Sequence, residues 1–152
     1  MEQVVTISEK PVLATEAHDW LSGQGDAGAV VMFTGHVRDE QGQVAGLELE
    51  HFPGMAESEL AGILDEAAQR WSIARVWIQH RVSALASGEL IVLVGVATAH
   101  RQAAFQAAAF IMDFLKTRVP IWKKTVNAAG EAAWVEDRQR DRDAAARWRE
   151  ED

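Results

Sequence analysis

The sequence predicts a single α+β domain with a mixed or antiparallel sheet. Its 152 residues suit one domain, and 48% hydrophobic with 25% charged residues is an ordinary globular balance. Short strand patterns occur along the chain and are interrupted by two long amphipathic helical patterns. That order, without an internal repeat or an interdomain linker, favours the α+β class over residues 1–152.

Four short elements are predicted in the first third of the chain. Residues 4–7 form a strand, and Thr15 caps a helix that runs to Leu21. The apolar run 29–33 is rich in β-formers and bounded by glycines, which indicates a buried strand. Residues 47–51 alternate apolar and polar side chains, which is typical of a half-buried strand.

Longer patterns follow in the middle of the chain. A helix from Glu57 onward carries apolar residues at helical spacing up to Trp71. Alternation predicts a strand over 75–82, and the nearly unbroken apolar run 90–99 indicates a strand in the centre of its sheet. A second helix is predicted over 101–119.

The last quarter is predicted to hold a hairpin and a charged tail. Strands over 121–126 and 132–135 form the hairpin across residues 127–131. Segment 136–152 is dense in charge, with three alanines and Trp148 as its apolar content. Two interpretations of this tail remain open, a weakly docked terminal helix or a partly disordered segment.

Composition argues against several classes of protein. The net charge of −8 disfavours a general nucleic-acid binder, which needs a basic face. No apolar run is long enough to span a bilayer, and the N-terminus lacks the features of a signal peptide. We therefore expect a cytoplasmic protein with neither nucleic acid nor membrane as partner.

The reactive side chains are restricted in kind. Cysteine is absent, which removes disulfides, thiolate nucleophiles and cysteine-based zinc sites, and tyrosine is absent too. The five histidines show no spacing typical of metal ligands. We predict no metal site and no bound cofactor.

Lys116 and Lys123, on either side of Pro120, are the most informative feature of the chain. Because proline ends a helix, Lys116 falls in the last helical turn and Lys123 just beyond it. If the two amines converge, each disfavours protonation of the other, and one becomes available as nucleophile or base. The competing interpretation is that Lys116 complements the helix dipole while Lys123 and Lys124 are solvated.

Other basic residues follow the ends of predicted strands. His100 and Arg101 lie where a strand ends and a helix begins, a junction that attracts anions. Arg38 follows another strand through Gly35, which lets the backbone turn sharply or approach a ligand closely. The alternative for each is an exposed charge without a ligand.

Five runs, in the same order and at similar spacing, resemble the large, catalytic subunit of molybdopterin synthase over about residues 4–148. The runs are Phe33-Thr34-Gly35-His36-Val37-Arg38, Leu49-Glu50-His51-Phe52-Pro53-Gly54-Met55, Ala99-His100-Arg101 with Ala104-Phe105, Asp113-Phe114-Leu115-Lys116, and Pro120-Ile121-Trp122-Lys123-Lys124. The resemblance implies an α/β hammerhead-type fold with an additional antiparallel sheet.

The resemblance also implies an activity and partners. This family converts cyclic pyranopterin monophosphate into molybdopterin by inserting two sulfurs as a dithiolene. A small ubiquitin-like subunit supplies the sulfur as a thiocarboxylate on its C-terminal Gly-Gly, which threads into the large subunit. The large subunits form a homodimer within a heterotetramer. A chain without cysteine fits this scheme, because the partner brings the sulfur.

Site residues are implied by position. Lys116 and Lys123 resemble the catalytic lysines, and Arg138 resembles an arginine that reaches the neighbouring protomer's site. The full substrate-binding set implied is His36, Val37, Arg38, His100, Arg101, Lys116, Lys123, Lys124, Thr125 and Arg138. The chain departs from many relatives at His36, Phe52 and Thr125, where lysine, tyrosine and glutamate are common.

Two alternatives of other classes remain. A noncatalytic adaptor could bind a ubiquitin-like protein through the same groove without any chemistry. A Schiff-base enzyme could use Lys116 on a carbonyl substrate.

Overall fold

The computed structural model describes residues 1–136 and 138–150. In chain order its elements are β1 (Glu2–Ser8), α1 (Ala14–Ser22), β2 (Ala29–His36), β3 (Gly46–His51), α2 (Met55–Arg70), β4 (Ile73–Arg81), β5 (Ser83–Ala86), β6 (Leu90–Thr98), α3 (Arg101–Arg118), β7 (Ile121–Val126), β8 (Ala132–Trp134) and α4 (Gln139–Glu150). No helix in these two ranges is both long enough and apolar enough to cross a membrane.

The strands form two four-stranded sheets. The first has the order β1-β4-β6-β2, in which β1 pairs with β4 in parallel and the other neighbours are antiparallel. The second has the order β5-β3-β7-β8 and is antiparallel throughout. The predicted α+β class, with an additional antiparallel sheet and β6 inside its sheet, is confirmed.

Helices cover both faces of the first sheet. The main core joins Ile63 of α2, Val94 of β6 and Phe110 of α3, all fully buried. On the opposite face, the buried side chain of Leu21 in α1 lies over Gly95 so closely that a Cβ there would contact it. A glycine is therefore needed for this approach.

A second, smaller core lies against the second sheet. Its buried members are Val37, Val44, Leu47, Leu49, Val82 and Leu85. Ile121, the first residue of β7, is half-buried and packs against both cores. The strand β7 therefore begins where the two cores meet.

Three details of the sequence prediction are wrong. Helix α1 begins at Ala14, so Thr15 is not its cap; the backbone N–H of Leu13 donates to Gln79 Oε1 at 3.0 Å, and this tertiary bond fixes the start. Strand β2 is half-buried because it is an edge strand, and Phe33 is 42% exposed. Helix α2 begins at Met55, two residues before the predicted start at Glu57.

The charged tail contains the helix α4. The indole of Trp148 is buried in the main core, its Nε1 donates to Asp113 Oδ2 at 2.8 Å, and its carbonyl accepts a hydrogen bond from Arg70 at 3.0 Å. Of the two interpretations, a docked terminal helix holds for residues 139–150. Residues 137, 151 and 152 of the predicted tail lie outside the described residues.

Candidate functional site

The junction between α3 and β7 positions the two lysines. Helix α3 ends at Arg118, and Val119 is already extended because it precedes Pro120. The N–H of Ile121 donates to the carbonyl of Val119 at 2.9 Å, which turns the chain tightly into β7. Lys116 thus lies in the last turn of α3 and Lys123 in β7, as predicted.

Burial and four charged side chains shift the pKa of Lys123. Burial lowers the pKa of Lys123 below its ordinary value, and the nearby positive charges of Lys116 and Arg138 lower it further. The carboxylates of Asp141 and Glu40 raise that pKa. Lys123 is half-buried and Lys116 is exposed. The ammonium of Lys116 is therefore near enough to act on that of Lys123, and charged side chains from α4 and from the loop after β2 act on the same amine.

The register of β7 separates Lys123 from its neighbours. Lys123 pairs with Leu49 and Lys124 with Glu48, so the two lysines point to opposite faces of the second sheet. The Lys124 ammonium lies 4.2 Å from the centroid of the Trp134 ring. Lys124 of the predicted binding set is thus not part of the lysine cluster.

Thr125 shares a sheet face with Lys123 but serves the hairpin. It is half-buried in β7, and its hydroxyl donates to the carbonyl of Ala133 at 3.4 Å. This bond across the β7–β8 pair adds to the backbone ladder there.

Two histidines outside the predicted site residues, His51 and His80, join the two lysines to complete the lysine cluster. Burial lowers the pKa of His80 to about 4, the bond to the Arg81 carbonyl opposes this, and the charges of Lys116, His51 and Lys123 add to the decrease. His51 Nε2 lies 3.6 Å from Glu57 Oε1. A signal for His80 was present, because it continues the alternation of buried residues along β4.

The loop after β2 places Arg38 beside a carboxylate that acts on Lys123. The Arg38 guanidinium lies 3.5 Å from Glu40, one of the two carboxylates that act on Lys123. Its side chain is 75% exposed, so it is available to a ligand.

The two residues before Arg38 differ in what they present. His36 is exposed, and its Nε2 lies 3.2 Å from the hydroxyl of Thr34. Val37 is buried in the second core; its N–H donates to Glu89 at 2.9 Å, and its carbonyl accepts from Gly88 at 2.7 Å. Val37 therefore supports the loop and offers no polar group to a ligand.

His100 and Arg101 lie at the opposite end of α3 from Lys116. His100 is the N-cap residue of α3, and both side chains are exposed. A helix rises about 1.5 Å per residue, which places Arg101 roughly 22 Å from Lys116 along α3. A single chain thus does not bring these two residues to the lysines, although each occupies the strand–helix junction that was predicted.

The lysine cluster, defined as Lys116, Lys123, His51 and His80, has a definite chemistry. Among residues 1–136 and 138–150, neither ammonium forms an ion pair with a carboxylate. The same ranges contain no group of three or more His, Asp or Glu residues arranged to hold a metal ion. Two unpaired cations, one of them partly dehydrated, suit an anionic ligand such as a carboxylate or a phosphate.

Comparisons with known proteins agree on one family. The family model described as "MoaE protein" matches residues 7–118. The molybdopterin synthase catalytic subunit of Escherichia coli K12 is 46% identical over 149 residues, which cover 97% of this chain and 99% of that protein.

Solved structures have the same fold. A molybdopterin cofactor biosynthesis protein E from Burkholderia multivorans has a TM-score of 0.81 at 38% identity, with 97% of each chain covered. A molybdopterin synthase from Staphylococcus aureus has a TM-score of 0.78 at 33% identity, covering 86% of this chain and 95% of that one. With its two sheets, its lysine cluster and these matches, the chain belongs to the MoaE family, that of the molybdopterin synthase catalytic subunits.

Proposed function

We propose that this protein is the sulfur-inserting subunit of a molybdopterin synthase in molybdenum cofactor biosynthesis. It converts cyclic pyranopterin monophosphate into molybdopterin by dithiolene formation, with the C-terminal thiocarboxylate of a small ubiquitin-like subunit as sulfur donor. The observation that carries the proposal is the convergence of Lys116 and Lys123 from two elements, in a chain of this family.

The two lysines have different surroundings and take different roles. Lys116 is exposed, which suits a residue that contacts the incoming thiocarboxylate carbon. Lys123 is half-buried and its pKa is lowered, which suits a residue that gives up a proton more readily than an ordinary lysine. The thiocarboxylate sulfur attacks a pterin side-chain carbon while the cyclic phosphate opens, and both cations stabilise the anionic groups involved.

The phosphate is assigned to Arg38, His100 and Arg101. Arg38 is exposed and lies next to Glu40, which acts on Lys123, whereas the other two lie about 22 Å from Lys116 along α3 in the same chain. A homodimer within a heterotetramer meets this requirement if the second copy supplies His100 and Arg101. Arg138 acts on Lys123 of its own chain, and its contact with the neighbouring protomer remains a prediction.

A partner subunit and a cellular compartment complete the proposed function. The designation of the relatives as catalytic subunits supports a further, noncatalytic subunit as partner. We propose a cytoplasmic protein of one domain that requires neither nucleic acid nor membrane.

The decisive experiment is synthesis of molybdopterin from purified thiocarboxylated partner and cyclic pyranopterin monophosphate. We expect the substitution Lys116→Ala to lower turnover by about 10²-fold or more. Lys10→Ala, an exposed lysine after β1, is the matched control. Near-normal turnover of Lys116→Ala rejects its catalytic role.

A binding measurement separates the enzyme from a noncatalytic adaptor. We expect the pterin substrate to change the tryptophan fluorescence of the purified protein in a saturable titration. Binding of the Gly-Gly partner without any binding of the pterin favours the adaptor.

A further inference from the structure

The loop after β2 carries Arg38 between two buried ends. These ends, Val37 and Val44, are 2% and 6% exposed and belong to the second core. Between them, Glu40 and Gln41 have φ values of 50° and 61°, in the left-handed region that residues with a side chain rarely adopt. Such a conformation persists only where the surrounding structure holds it. The direction in which this loop presents its arginine therefore depends on what its ends bond to.

Both ends of the loop bond to the β5–β6 turn, which consists of residues 87–89. The N–H of Val37 donates to the carbonyl of Glu89 at 2.9 Å, and the carbonyl of Val37 accepts from the N–H of Gly88 at 2.7 Å. At the other end, the carbonyl of Ala45 accepts from the N–H of Ser87 at 2.9 Å. Because β5 belongs to the second sheet and β6 to the first, this turn ties the loop to both sheets.

The side chain of Glu89 closes the β5–β6 turn. Its Oε2 accepts a hydrogen bond from the N–H of Ala86 at 2.6 Å, and its Oε1 lies 3.4 Å from Nη1 of Arg81. The bond from Ala86, and then the bond from Arg81, hold the pKa of the Glu89 carboxyl below its ordinary value, so this group is ionised at neutral pH. Hydrogen bonds to a charged acceptor are roughly twice as strong as neutral ones.

Arg81, at the end of β4, pairs with this carboxylate from a largely buried position. Its side chain is 15% exposed, and its Nη2 donates to the carbonyl of Glu9 at 3.3 Å. Its Nε is buried without a hydrogen-bond partner among the described residues. A guanidinium that has lost most of its water depends on its carboxylate more than an exposed one does. The pair with Glu89 therefore anchors the turn to β4.

We propose that Glu89 is a positioning residue for Arg38, because its carboxylate fixes the β5–β6 turn and the turn fixes the backbone that immediately precedes Arg38. The proposal rests on the proposed role of Arg38 in binding the phosphate of the substrate. The Arg38 side chain is 75% exposed and has only a 3.5 Å contact with Glu40, a kind of surface pair that holds a side chain weakly. Fixing the backbone at its base reduces the freedom that this side chain loses when it binds an anion.

Amide hydrogen exchange tests this connection without any assay of activity. We expect Glu89→Ala to speed exchange at the Val37 amide by about fivefold, the effect of losing a hydrogen bond of ordinary strength. Exchange at the amide of Val94, which is fully buried in the middle of β6, should not change. Glu89→Gln keeps an acceptor for the N–H of Ala86 and should exchange within about twofold of the native protein.

The controls separate positioning from general damage. Glu16→Ala, at an exposed glutamate of α1, should leave exchange at Val37 unchanged. Unchanged exchange at Val37 in Glu89→Ala, or an equal increase at Val37 and Val94, overturns the proposal. If that variant does not fold, NMR coupling across the hydrogen bond from the Ala86 N–H to the Glu89 carboxyl carbon decides in the native protein. Its presence supports the proposal and its absence overturns it.

Kinetics show whether the turn acts through Arg38. We expect Glu89→Ala to raise KM for cyclic pyranopterin monophosphate by about fivefold, with kcat and the affinity for the small subunit within about twofold, as for a loss of substrate binding alone. In a protein that already carries Arg38→Ala, the same change should add no further increase. Equal increases with and without the Arg38 guanidinium would overturn the positioning role.

The single variants distinguish the two proposals. A native KM in Glu89→Ala beside a raised KM in Arg38→Ala overturns the positioning role and leaves the proposed function intact. An unchanged KM in Arg38→Ala removes Arg38 from the proposed phosphate site, and the positioning role falls with it.

Discussion

Lys123 and Lys124 are adjacent in sequence but lie on opposite faces of β7. Lys123 pairs with buried Leu49, and the positive charge of Lys116 lowers its pKa. Lys124 instead lies over the ring of Trp134, which is 58% exposed. The alternation of a strand is enough to give the two lysines different environments. They should therefore differ in function.

Substitution of the two lysines tests this difference. We expect Lys123→Ala to lower turnover by about 10²-fold, because a cation placed to stabilise developing negative charge is lost. Lys124→Ala should retain turnover within about threefold, since it removes only an exposed contact with Trp134. Both are measured with the same purified partner and substrate. Equal losses in the two variants would show that the sheet face does not decide function.

Two neighbours of Lys123 should shift its titration in opposite directions. Arg138→Gln removes a positive charge, so the ammonium becomes easier to keep and the pKa of Lys123 rises. Asp141→Asn removes a negative charge, so the pKa of Lys123 falls. The measurement is a pH titration of the ¹⁵N-labelled lysine side chain. Shifts of the same sign in both variants contradict the arrangement around Lys123.

The buried His80 predicts a dependence of stability on pH. Its pKa is about 4 when folded against 6.5 ordinarily, so between these values only the unfolded chain takes up the proton. Its contribution to the free energy of unfolding is complete above pH 6.5 and is lost as the pH falls to about 4, by about 3 kcal/mol in total. His80→Gln should remove this part of the pH dependence.

Urea unfolding at pH 7 and pH 4.5 measures this effect. The comparison is the change in stability between the two pH values, so a constant loss of stability in His80→Gln does not matter. If the free energy of unfolding depended on pH equally in the native protein and in His80→Gln, His80 would be charged, or exposed, in the folded state.

The terminal helix should contribute strongly to stability. Trp148 packs against Trp71 and Phe110 with ring centroids 5.7 Å and 5.4 Å away. Trp148→Ala should cost about 3–5 kcal/mol of unfolding free energy, as for other buried aromatic side chains. The exposed Trp134 is the matched control, and its replacement by alanine should cost no more than about 0.5 kcal/mol. Similar values for the two tryptophans would contradict the docking of α4.

Mixing two inactive variants tests whether a second copy completes the site. Arg101→Ala and Lys116→Ala should each be inactive alone. If Arg101 serves the Lys116 of the other copy, hybrids have one intact site, and random exchange recovers about a quarter of native turnover. Recovery is measured after the two proteins are mixed and allowed to exchange subunits. No recovery, despite exchange shown by mass spectrometry, would reject sharing between copies.

Local chemistry made part of this structure predictable. Pro120 ends α3 where the sequence indicates, and the alternation of apolar residues gives the strands on either side of α2. The cap of α1 was not predictable from Thr15, since the decisive bond comes from Gln79, more than sixty residues away. Such tertiary hydrogen bonds leave no local pattern.

The site was predictable only in parts. The resemblance selects Lys116 and Lys123, and the structure brings them together. The position of Lys124 depends on the register between β3 and β7, which the sequence does not specify. His80 has a visible pattern along β4, but the charges that act on it come from α3, β3 and β7, which no local pattern reveals.

The hydrogen bonds of α4 have a practical consequence for handling the protein. Its Trp148 binds Asp113, which lies one turn before Lys116, and Asp141 in its first turn acts on Lys123. An affinity tag or fusion attached behind this helix, or a protease that trims it, therefore disturbs the contacts that α4 makes next to Lys116 and the charge that it places near Lys123. Purification handles belong ahead of Met1, which is exposed and precedes an outer strand of the first sheet.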